Sequence, residues 1–502
     1  MTRVHLIPAV LALLFAAGCF AQTYDIVLDG GRVMDPETGV DAVRNVGIVQ
    51  GKITRISSER LAGKRILDVK GLIVAPGFID LHQHGQDAAS GRLKAFDGVT
   101  TALEMEIGAP DVAAFLQKKD GRSLINYGTT ASHAAARAFV FGEPIHDPTI
   151  VPPSGPATNQ PASPTQIQKI EDHLSQELDA GALGIGMGIQ YTPGATRLEV
   201  IRMFRLAASR RVPVFTHVRS FGRVEPGSGI EAVSEVIAAA AVSGASLQIV
   251  HINSSCTSDG LECVSLVAGA RARGLDVTTE AYPYAAGMTA INSALFNPGW
   301  KEKLGVDYDA LQLPDTGERL TKERFDVLHA AKGNVTVLIF SNTQEMVDAV
   351  ISQPLVMIAS DGADGHPRNA GTFSRVLARY VRERGSITLM DAIRKMALMP
   401  AQRLERSTPE ARRKGRLQEG ADADIVVFDP QTVADRASYS APREPSTGMK
   451  YVIVGGSVLI DQGKLIPGVF PGKPLDGRQR LPSPGRIDND PGSGRRTAAS
   501  GR

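Results

Sequence analysis

The chain has 502 residues, of which 43% are hydrophobic, enough for one large α/β domain and a smaller companion domain. The formal net charge is +2, and the Lys and Arg residues are spread along the chain, so nothing indicates a nucleic-acid partner. After the first 22 residues no segment is apolar for long enough to span a bilayer. The composition favours a globular protein that acts on a small molecule.

The first 22 residues, MTRVHLIPAVLALLFAAGCFAQ, have the layout of a secretory signal, with Arg3, a short apolar stretch and a small-residue end. Cleavage after Ala21 fits the small-residue rule only loosely, because Cys19 stands three residues before the cut. AAGC is also compatible with a lipoprotein signal in which Cys19 carries a lipid anchor. We therefore expect an exported protein, periplasmic or secreted, and leave the type of signal peptidase open.

Short β-patterned runs, broken by glycine-containing turns, occupy residues 23–74, and the same style returns in residues 405–472. The segments DIVLDGGRVMD and YVIVGGSVLID are similar enough to be related hairpins. We predict that the two chain ends build one small composite β-sandwich domain. The segment 473–502 is rich in Pro, Gly, Ser and Arg and is predicted to be a disordered tail.

Residues 75–404 alternate short apolar strands with helical stretches, which predicts parallel strands and, at this length, a (β/α)8 TIM barrel of the α/β class. The predicted strands are GFIDLHQH, TTALEMEIG, SLINYGTTASH, GALGIGMGIQYTPG, VPVFTHVRS, SLQIVHINSS, LDVTTEAYPY and PLVMIASDGADG. Each ends in polar or Gly-rich residues, and this barrel carries its catalytic groups at the carboxyl ends of the strands. The segment 287–335, which contains Trp300, is too long for an ordinary loop and is predicted to be an insertion that covers part of the site.

Four histidines and one aspartate lie at predicted strand ends. His82 and His84 are two residues apart, so on an extended strand their imidazoles project from the same face. His217 ends the fifth predicted strand, His251 the sixth and Asp361 the eighth. One such residue alone is better explained as a core histidine or a helix-capping aspartate, but five at the same barrel mouth indicate a metal site.

The chemistry of these residue types is consistent with a hydrolytic site. Zinc held by neutral imidazoles and carboxylates acidifies a bound water and polarises a carbonyl oxygen. An aspartate beside the metal can accept the proton of the attacking water and return it to the leaving nitrogen, and we assign this role to Asp361. The alternative role of Asp361, capping the next helix, is disfavoured because Gly362 and the loop GADGHPR follow it.

A series of motifs runs through residues 24–472 in a specific order: PGFID.H.H, GVTT, GALGIGMGIQYTPG, THVR, VHIN, YPYAAG, SDG, HPRNAGTF and G.L..G.DADIVVFDP.TV.D. On these motifs the chain resembles the amidohydrolase superfamily and, within it, the N-acyl-D-amino-acid deacylases, or D-aminoacylases. The resemblance implies a barrel with a composite β-domain. It also implies that the barrel binds one or two divalent metal ions, with Zn²⁺ as the expected metal. It further implies that a metal-bound hydroxide attacks the carbonyl of an amide next to a carboxylate.

The chain departs from the family in its metal ligands. Many amidohydrolases bridge two metals with a carboxylated lysine at the end of strand four, but GIGMGIQY contains no lysine. The deacylases instead use a cysteine at the end of strand two, and this cysteine is absent from GVTTALEMEIG. Glu104 and Glu106 lie in that stretch, so a carboxylate is predicted to replace the thiolate, with Glu106 preferred because it is nearer the strand end.

The family's substrate-binding positions are only partly present in this sequence. By resemblance, Arg368 corresponds to the arginine that binds the substrate carboxylate, and Tyr191 and Tyr282 to tyrosines of the pocket. Asn253 stands where the deacylases have a lysine, and Met288 where they have a serine. We therefore expect a substrate that carries a carboxylate and an amide but differs from the usual N-acyl-D-amino acid.

Several alternatives stay open at this point. His133, at the end of strand three, either orients substrate or is a plain structural histidine. Cys256 and Cys263 could pair in an oxidising compartment, but two unpaired, partly buried side chains are the expectation. A cyclic amidase of the hydantoinase or dihydroorotase kind would share the barrel and the metals, and a barrel without catalysis would only bind a ligand.

Overall fold

The computed structural model describes residues 23–145, 155–331 and 335–479. The predicted signal over 1–22, with Cys19, lies outside the described residues, as does the chain from 480 onwards. Within the described ranges, we find no helix with the length and apolar character needed to cross a membrane.

Strands from both chain ends form the composite β-domain, which confirms that prediction. The N-terminal strands are β1 (Tyr24–Asp35), β2 (Val40–Val49), β3 (Lys52–Ser57), β4 (Gly63–Asp68) and β5 (Ile73–Pro76). The C-terminal strands are β17 (Ile425–Phe428), β18 (Met449–Val454), β19 (Ser457–Asp461) and β20 (Lys464–Leu465). The nine strands belong to one hydrogen-bonded sheet, in which β5 pairs with β17, rather than to two separate sheets of a sandwich.

The two similar segments DIVLDGGRVMD and YVIVGGSVLID each contain a pair of adjacent glycines, but the two pairs differ in structure. The prediction of two related hairpins was therefore wrong. Gly455 and Gly456 both have positive φ, which allows the tight turn between β18 and β19. In the N-terminal segment only Gly30 has a positive φ, and the pairing of β1 with β2 shifts between Leu28 and Gly31. A β-bulge therefore lets β1 continue as a single strand.

The eight predicted barrel strands are all confirmed. They are β6 (Phe78–Asp80), β7 (Val99–Ala109), β8 (Asn126–Ser132), β9 (Ile185–Gly188), β10 (Pro213–His217), β11 (Ser246–Ile249), β12 (Val277–Ala281) and β16 (Val356–Ile358). Each pairs in parallel with the strand before it in this series. Nearly all of their residues are buried, as expected for strands covered on both faces.

Helices alternate with these strands and cover the barrel. They are α1 (Ala88–Phe96), α2 (Val112–Lys119), α3 (His133–Phe141), α4 (Pro156–Asn159), α5 (Pro164–Asp179), α6 (Arg197–Arg210), α7 (Gly229–Ser243), α8 (Ile252–Cys256), α9 (Gly260–Ala272), α10 (Trp300–Leu304), α11 (Lys322–Ala330), α12 (Gln344–Ile351), α13 (Arg368–Arg375), α14 (Leu389–Ile393) and α15 (Met399–Leu404). Ser163, Thr196 and Ser228 cap α5, α6 and α7, because each side-chain oxygen accepts a backbone N–H of the first turn.

Side chains close the barrel between its first and last strands. In the described sheet no backbone ladder joins β6 to β16. Instead Ser360 donates to Asp80 from its backbone nitrogen (3.0 Å) and its hydroxyl (2.5 Å), and the ammonium of fully buried Lys94 lies 2.9 Å from the same carboxylate. The carbonyl of Gly362 also accepts the backbone N–H of His84 at 2.9 Å. These contacts hold the ends of the two strands together.

The predicted insertion forms a small subdomain with its own core. Its strands β13 (Gly287–Ala290), β14 (Leu311–Gln312) and β15 (Thr336–Ile339) form a three-stranded sheet. Phe296, Trp300 and Phe325 pack together beneath this sheet. The subdomain continues past residue 335 to Ile339, and residues 332–334 lie outside the described part of the chain.

Two further predictions were wrong. The tail does not begin at residue 473, because Leu475 is buried and donates its backbone N–H to Tyr127 O, while Lys473 O accepts the N–H of Tyr127. Cys256 and Cys263 are not free thiols, because their sulfur atoms form a disulfide bond between α8 and α9. Their separation of seven residues could not predict this pairing, which depends on how the two helices meet.

Candidate metal centre

The side chains predicted to bind a metal meet at the carboxyl ends of the barrel strands. His82 and His84 follow β6, Glu106 lies near the end of β7, and His217 is the last residue of β10. His251 follows β11, and Asp361 follows β16. Because the strands are parallel, their carboxyl ends surround the same mouth of the barrel.

Glu106 lies at the centre of this cluster and contacts four imidazoles. One carboxylate oxygen, Oε2, is 3.1 Å from His82 Nε2 and 3.0 Å from His84 Nε2. The other oxygen, Oε1, is 2.5 Å from His217 Nδ1 and 3.0 Å from His251 Nε2. The carboxylate therefore joins two histidine pairs, as a ligand shared between two ions would do.

Asp361 completes the half of the cluster that contains His82 and His84. Its Oδ1 lies 3.3 Å from His84 Nε2 and 3.5 Å from His82 Nε2. Its Oδ2 lies 2.9 Å from Nη1 of Arg368, a fully buried residue. Burial opposes ionisation of Asp361, but Arg368 and His82 outweigh it and hold its pKa below the usual range. The carboxylate is therefore ionised.

The charges of the cluster shift the pKa values of its members strongly. Burial disfavours protonation of His82, but Asp361 and Glu106 outweigh it and raise the pKa of His82 to about 10. Glu104 and Asp361 likewise overcome burial and raise the pKa of His84 well above its usual value. Burial also opposes ionisation of Glu106, yet His82 and His217 hold its pKa well below the usual range. These carboxylates need positive charge nearby, and a divalent metal supplies it while displacing protons from imidazoles.

The donor set fits a divalent metal of the zinc type. Ligand atoms of His82, His84, Glu106 and Asp361 all lie within 4.8 Å of one another, and so do those of Glu106, His217 and His251. Burial and the neighbouring His217 lower the pKa of His251, which keeps its imidazole in the neutral form that binds metals. The buried Nε2 of His217 has no hydrogen-bond partner among the described residues. Imidazole and carboxylate ligands suit zinc and related ions.

Two of these residues adopt backbone conformations that are rare outside glycine. His251 has φ of 31° and Asp361 has φ of 50°. Such conformations cost of order 1–3 kcal/mol each and persist only where surrounding contacts determine them. Here the two residues follow β11 and β16, and each side chain belongs to a ligand group that contains Glu106.

Two further carboxylates orient the imidazoles of His82 and His84. Glu104 is in neither ligand group, and its Oε2 lies 2.8 Å from His84 Nδ1. Glu280, on β12, lies 2.7 Å from His82 Nδ1 and accepts a hydrogen bond from Gln248 at 2.8 Å. Both imidazoles are thus turned with Nε2 towards Glu106, and carboxylates in this position increase the basicity of a metal ligand.

Glu280 was not among the site residues predicted from the sequence. A possible signal was present, because Glu280 is an acidic residue within an apolar strand and would be costly to bury without a partner. Its partner His82 is 198 residues away in the chain, so no local pattern links the two.

A cavity opens onto this cluster and is covered by the insertion. Its hydroxyl-bearing residues are Tyr191, Ser254, Tyr282, Thr289 and Ser341. Its apolar wall consists of Phe221, Met288, Leu295, Leu304 and Ile339. Most of the apolar wall belongs to the insertion subdomain, which therefore shapes the space available to a ligand.

Three predicted substrate-binding residues are not on the cavity wall. His133 Nε2 lies 2.9 Å from Glu199 Oε1, in a buried cluster with Arg137, which supports its structural alternative. Asn253 donates from its side chain to Tyr282 O at 3.2 Å, and its neighbour Ser254 lines the cavity instead. Arg368 lies behind the wall, against Asp361 and the ring of Tyr282. Tyr191, Tyr282 and Met288 do line the cavity.

Comparison with known proteins relates this site to a family. The profile described as "Amidohydrolase family" matches residues 214–460. The chain is also 29% identical to an N-acyl-D-glutamate deacylase from Alcaligenes xylosoxydans xylosoxydans, over 90% of this chain and 97% of that protein. Residues 214–460 therefore form an amidohydrolase-family domain. A D-aminoacylase from the same organism is 28% identical to this amidohydrolase, over 87% of this chain and 94% of the relative.

A solved structure of similar fold carries a metal. It is the crystal structure of an N-acyl-D-glutamate deacylase from Bordetella bronchiseptica, in complex with zinc and a phosphonate inhibitor that mimics the tetrahedral reaction intermediate. The TM-score with this amidohydrolase is 0.77 at 26% identity, and the match covers 91% of this chain and all of that one, 100%. The match covers both the barrel and the composite β-domain.

Proposed function

We infer that this amidohydrolase removes the acyl group from an N-acylated amino acid by hydrolysing its amide bond. The observation that carries this proposal is the buried cluster of Glu106, four imidazoles and Asp361 at the base of the cavity. The similarity to N-acyl-D-amino-acid deacylases along nearly the whole chain supports the same reaction class. The D configuration of the substrate is part of the proposal.

We assign one or two zinc ions to this cluster. His82, His84, Glu106 and Asp361 would hold one ion, and Glu106, His217 and His251 the other. When bound, zinc acidifies water and polarises the carbonyl oxygen of the substrate. Glu106, which touches both histidine pairs, takes the place of the cysteine expected from the family resemblance.

Asp361 moves the proton in this mechanism. Its ionised carboxylate lines the cavity and accepts a proton from the attacking water. The Asp361 carboxyl group then returns this proton to the amide nitrogen as the C–N bond breaks, so that the amine leaves uncharged. Arg368 keeps Asp361 ionised between turnovers, because the pair is buried and oppositely charged.

Arg368 is also the proposed partner of the substrate α-carboxylate. Its Nε is buried and has no hydrogen-bond partner among the described residues. A buried guanidinium with a free donor suits a carboxylate, which it can bind with two parallel hydrogen bonds. The ring of Tyr282, which lines the cavity, lies 4.6 Å from this guanidinium, so the role requires that substrate binding shifts Tyr282 and opens Arg368 to the cavity.

We expect Arg368→Met to raise KM for an N-acetyl-D-amino acid by at least about tenfold, since a carboxylate would lose its charged partner. Steady-state kinetics with the zinc-loaded protein measure this change. Arg375→Met is a suitable control, because Arg375 lies on the same helix but pairs with Asp435. A lower kcat with an unchanged KM would show that Arg368 serves only Asp361.

Hydrolysis of acylated amino acids by the metal-loaded protein tests the function directly. The purified protein is stripped with a chelator, reloaded with zinc, and assayed on N-acetyl-D-amino acids, their L-enantiomers and cyclic imides. We expect activity on the D-series that disappears on stripping and returns with zinc. The metal content, measured by elemental analysis, should be one or two equivalents per chain.

Other outcomes of this assay would favour the alternatives. Dihydroorotases also match the chain, but over comparable lengths with lower identity than these deacylases. Turnover of cyclic imides without turnover of acyclic substrates would make the protein a cyclic amidase. Binding of the substrates with no turnover in the zinc-loaded state would make it a ligand-binding barrel.

We also propose that the protein is exported. The signal pattern of residues 1–22 supports this, and the disulfide between Cys256 and Cys263 is of a kind that persists mainly in oxidising compartments. In a bacterium with a periplasm, the full chain should appear in the periplasmic or membrane fraction and react with a thiol reagent at these cysteines only after reduction. Cys19→Ser separates the two signal types, because it abolishes membrane association only if Cys19 carries a lipid. A cytoplasmic protein with free thiols would contradict export.

A further inference from the structure

The cavity wall that faces the cluster contains no lysine or arginine among the described residues. Its polar groups are hydroxyls and the metal-binding side chains, and its apolar groups are concentrated in the insertion. Leu295 and Leu304 extend from the helical turns of the insertion, and Ile339 ends β15. Glu106 and Asp361 are the acidic groups on the same wall.

Two arginines near this wall already have partners. Arg219, two residues from His217, pairs with Glu235 at 2.8 Å and donates to Ala195 O at 2.9 Å. Arg368 pairs with Asp361 at 2.9 Å, and under the proposed function it meets the α-carboxylate of the substrate. The α-carboxylate of a substrate therefore has a charged partner in Arg368, but a second carboxylate, on the substrate side chain, has none among the arginines described here.

We propose that the enzyme selects N-acylated amino acids with an apolar side chain and rejects those with an acidic side chain. The proposal rests on the deacylase function and distinguishes this protein from its similar relative that is described as an N-acyl-D-glutamate deacylase. Away from the metal cluster, a side-chain carboxylate in this cavity would lose its water, meet leucine and isoleucine side chains, and find no lysine or arginine as a partner. A thioether or branched alkyl side chain would bury apolar area against the same residues.

Three substrates of similar length separate charge from polarity: N-acetyl-D-methionine, N-acetyl-D-glutamine and N-acetyl-D-glutamate. Glutamine and glutamate differ mainly in one charge, and methionine provides an apolar side chain of the same reach. We expect kcat/KM to fall in this order, with methionine favoured over glutamate by at least about a hundredfold. Calorimetric titration of the zinc-loaded protein should give affinities in the same order.

Leu295 offers a matched pair of variants. Leu295→Arg places a cation on the wall and should raise kcat/KM for N-acetyl-D-glutamate by at least about tenfold, because a buried carboxylate gains a charged partner. Leu295→Gln, of similar size but uncharged, should not produce this gain. If the folded Leu295→Arg variant shows no gain in kcat/KM for N-acetyl-D-glutamate, the side chain of the substrate does not contact residue 295, and the proposed role of this wall is wrong.

The outcomes distinguish this inference from the proposed function. Preferred hydrolysis of N-acetyl-D-glutamate by the natural protein would overturn the inference and leave the deacylase function intact. Absence of hydrolysis of all three compounds would overturn the deacylase function, and the measured affinities would then decide the selectivity of the cavity. Equal affinity for the methionine and glutamate compounds would overturn the inference in that case.

Discussion

Glu106→Gln should abolish the metal centre and lower kcat/KM by at least about a thousandfold. A bound metal stabilises the transition state by several kcal/mol, and each 1.36 kcal/mol of stabilisation corresponds to about a factor of ten in rate. The amide keeps the shape of the side chain but removes the charge that both histidine pairs share. Elemental analysis after dialysis, together with the rate on the best N-acetyl-D-amino acid, measures both effects.

Glu104→Gln is the matched control for this experiment. Glu104 lies two residues away on the same strand and is buried like Glu106. Among the histidines of the cluster, its carboxylate is hydrogen-bonded to Nδ1 of His84. Loss of such an orienting carboxylate typically costs about 10–100-fold in metal affinity or activity, so its effect should be the smaller one. Equal metal content in the natural protein and both variants would rule out a carboxylate ligand from β7, and the reverse order would transfer the bridging role to Glu104.

Asp361→Asn should lower kcat by about 10²–10⁴-fold, the usual contribution of a positioned proton-transfer group. An asparagine cannot accept the proton of the attacking water, and it leaves Arg368 without its buried counter-ion. The metal should stay largely bound, because His82, His84 and Glu106 still surround it. The kcat and the metal content of the variant, measured on the same preparation, test this separation.

Asp364→Asn provides the control for a change of charge in the same loop. Asp364 is exposed and pairs with Arg443 outside the cluster, so its substitution should change kcat less than about twofold. Near-normal activity of Asp361→Asn would show that another group moves the proton. If Asp361→Asn loses activity in strict proportion to its loss of metal, Asp361 acts only as a metal ligand and does not transfer the proton.

The positions of the metal-binding residues could be predicted from the sequence because they depend on strand order. Parallel strands of a barrel bring their carboxyl ends together, so residues at the ends of predicted strands must converge. His82, His84, His217, His251 and Asp361 were each adjacent to such an end, and the structure places them around Glu106. The composite β-domain was predictable for a similar reason, because β-patterned runs at both chain ends leave strands that need partners.

Side-chain partners that depend on distant segments could not be predicted in this way. Alternation along a strand put Glu104 and Glu106 on one face, but the pairing of β7 shifts after Glu104, and only Glu106 reaches both histidine pairs. Arg368 faces Asp361 rather than open cavity because the last strand end and α13 pack tightly there. The disulfide between Cys256 and Cys263 likewise depends on how α8 meets α9.

The sequence by itself therefore determined the barrel, the composite β-domain, the family resemblance and the set of groups that meet at the mouth of the barrel. These follow from periodicity and from the order of motifs, which are local properties of the chain. Only the tertiary structure decided which carboxylate contacts both histidine pairs, that Glu280 orients His82, and that the insertion side of the cavity is apolar, with no described lysine or arginine on the wall. Those features depend on contacts between residues as many as 198 positions apart, and a contact of that kind is set by packing rather than by any local pattern.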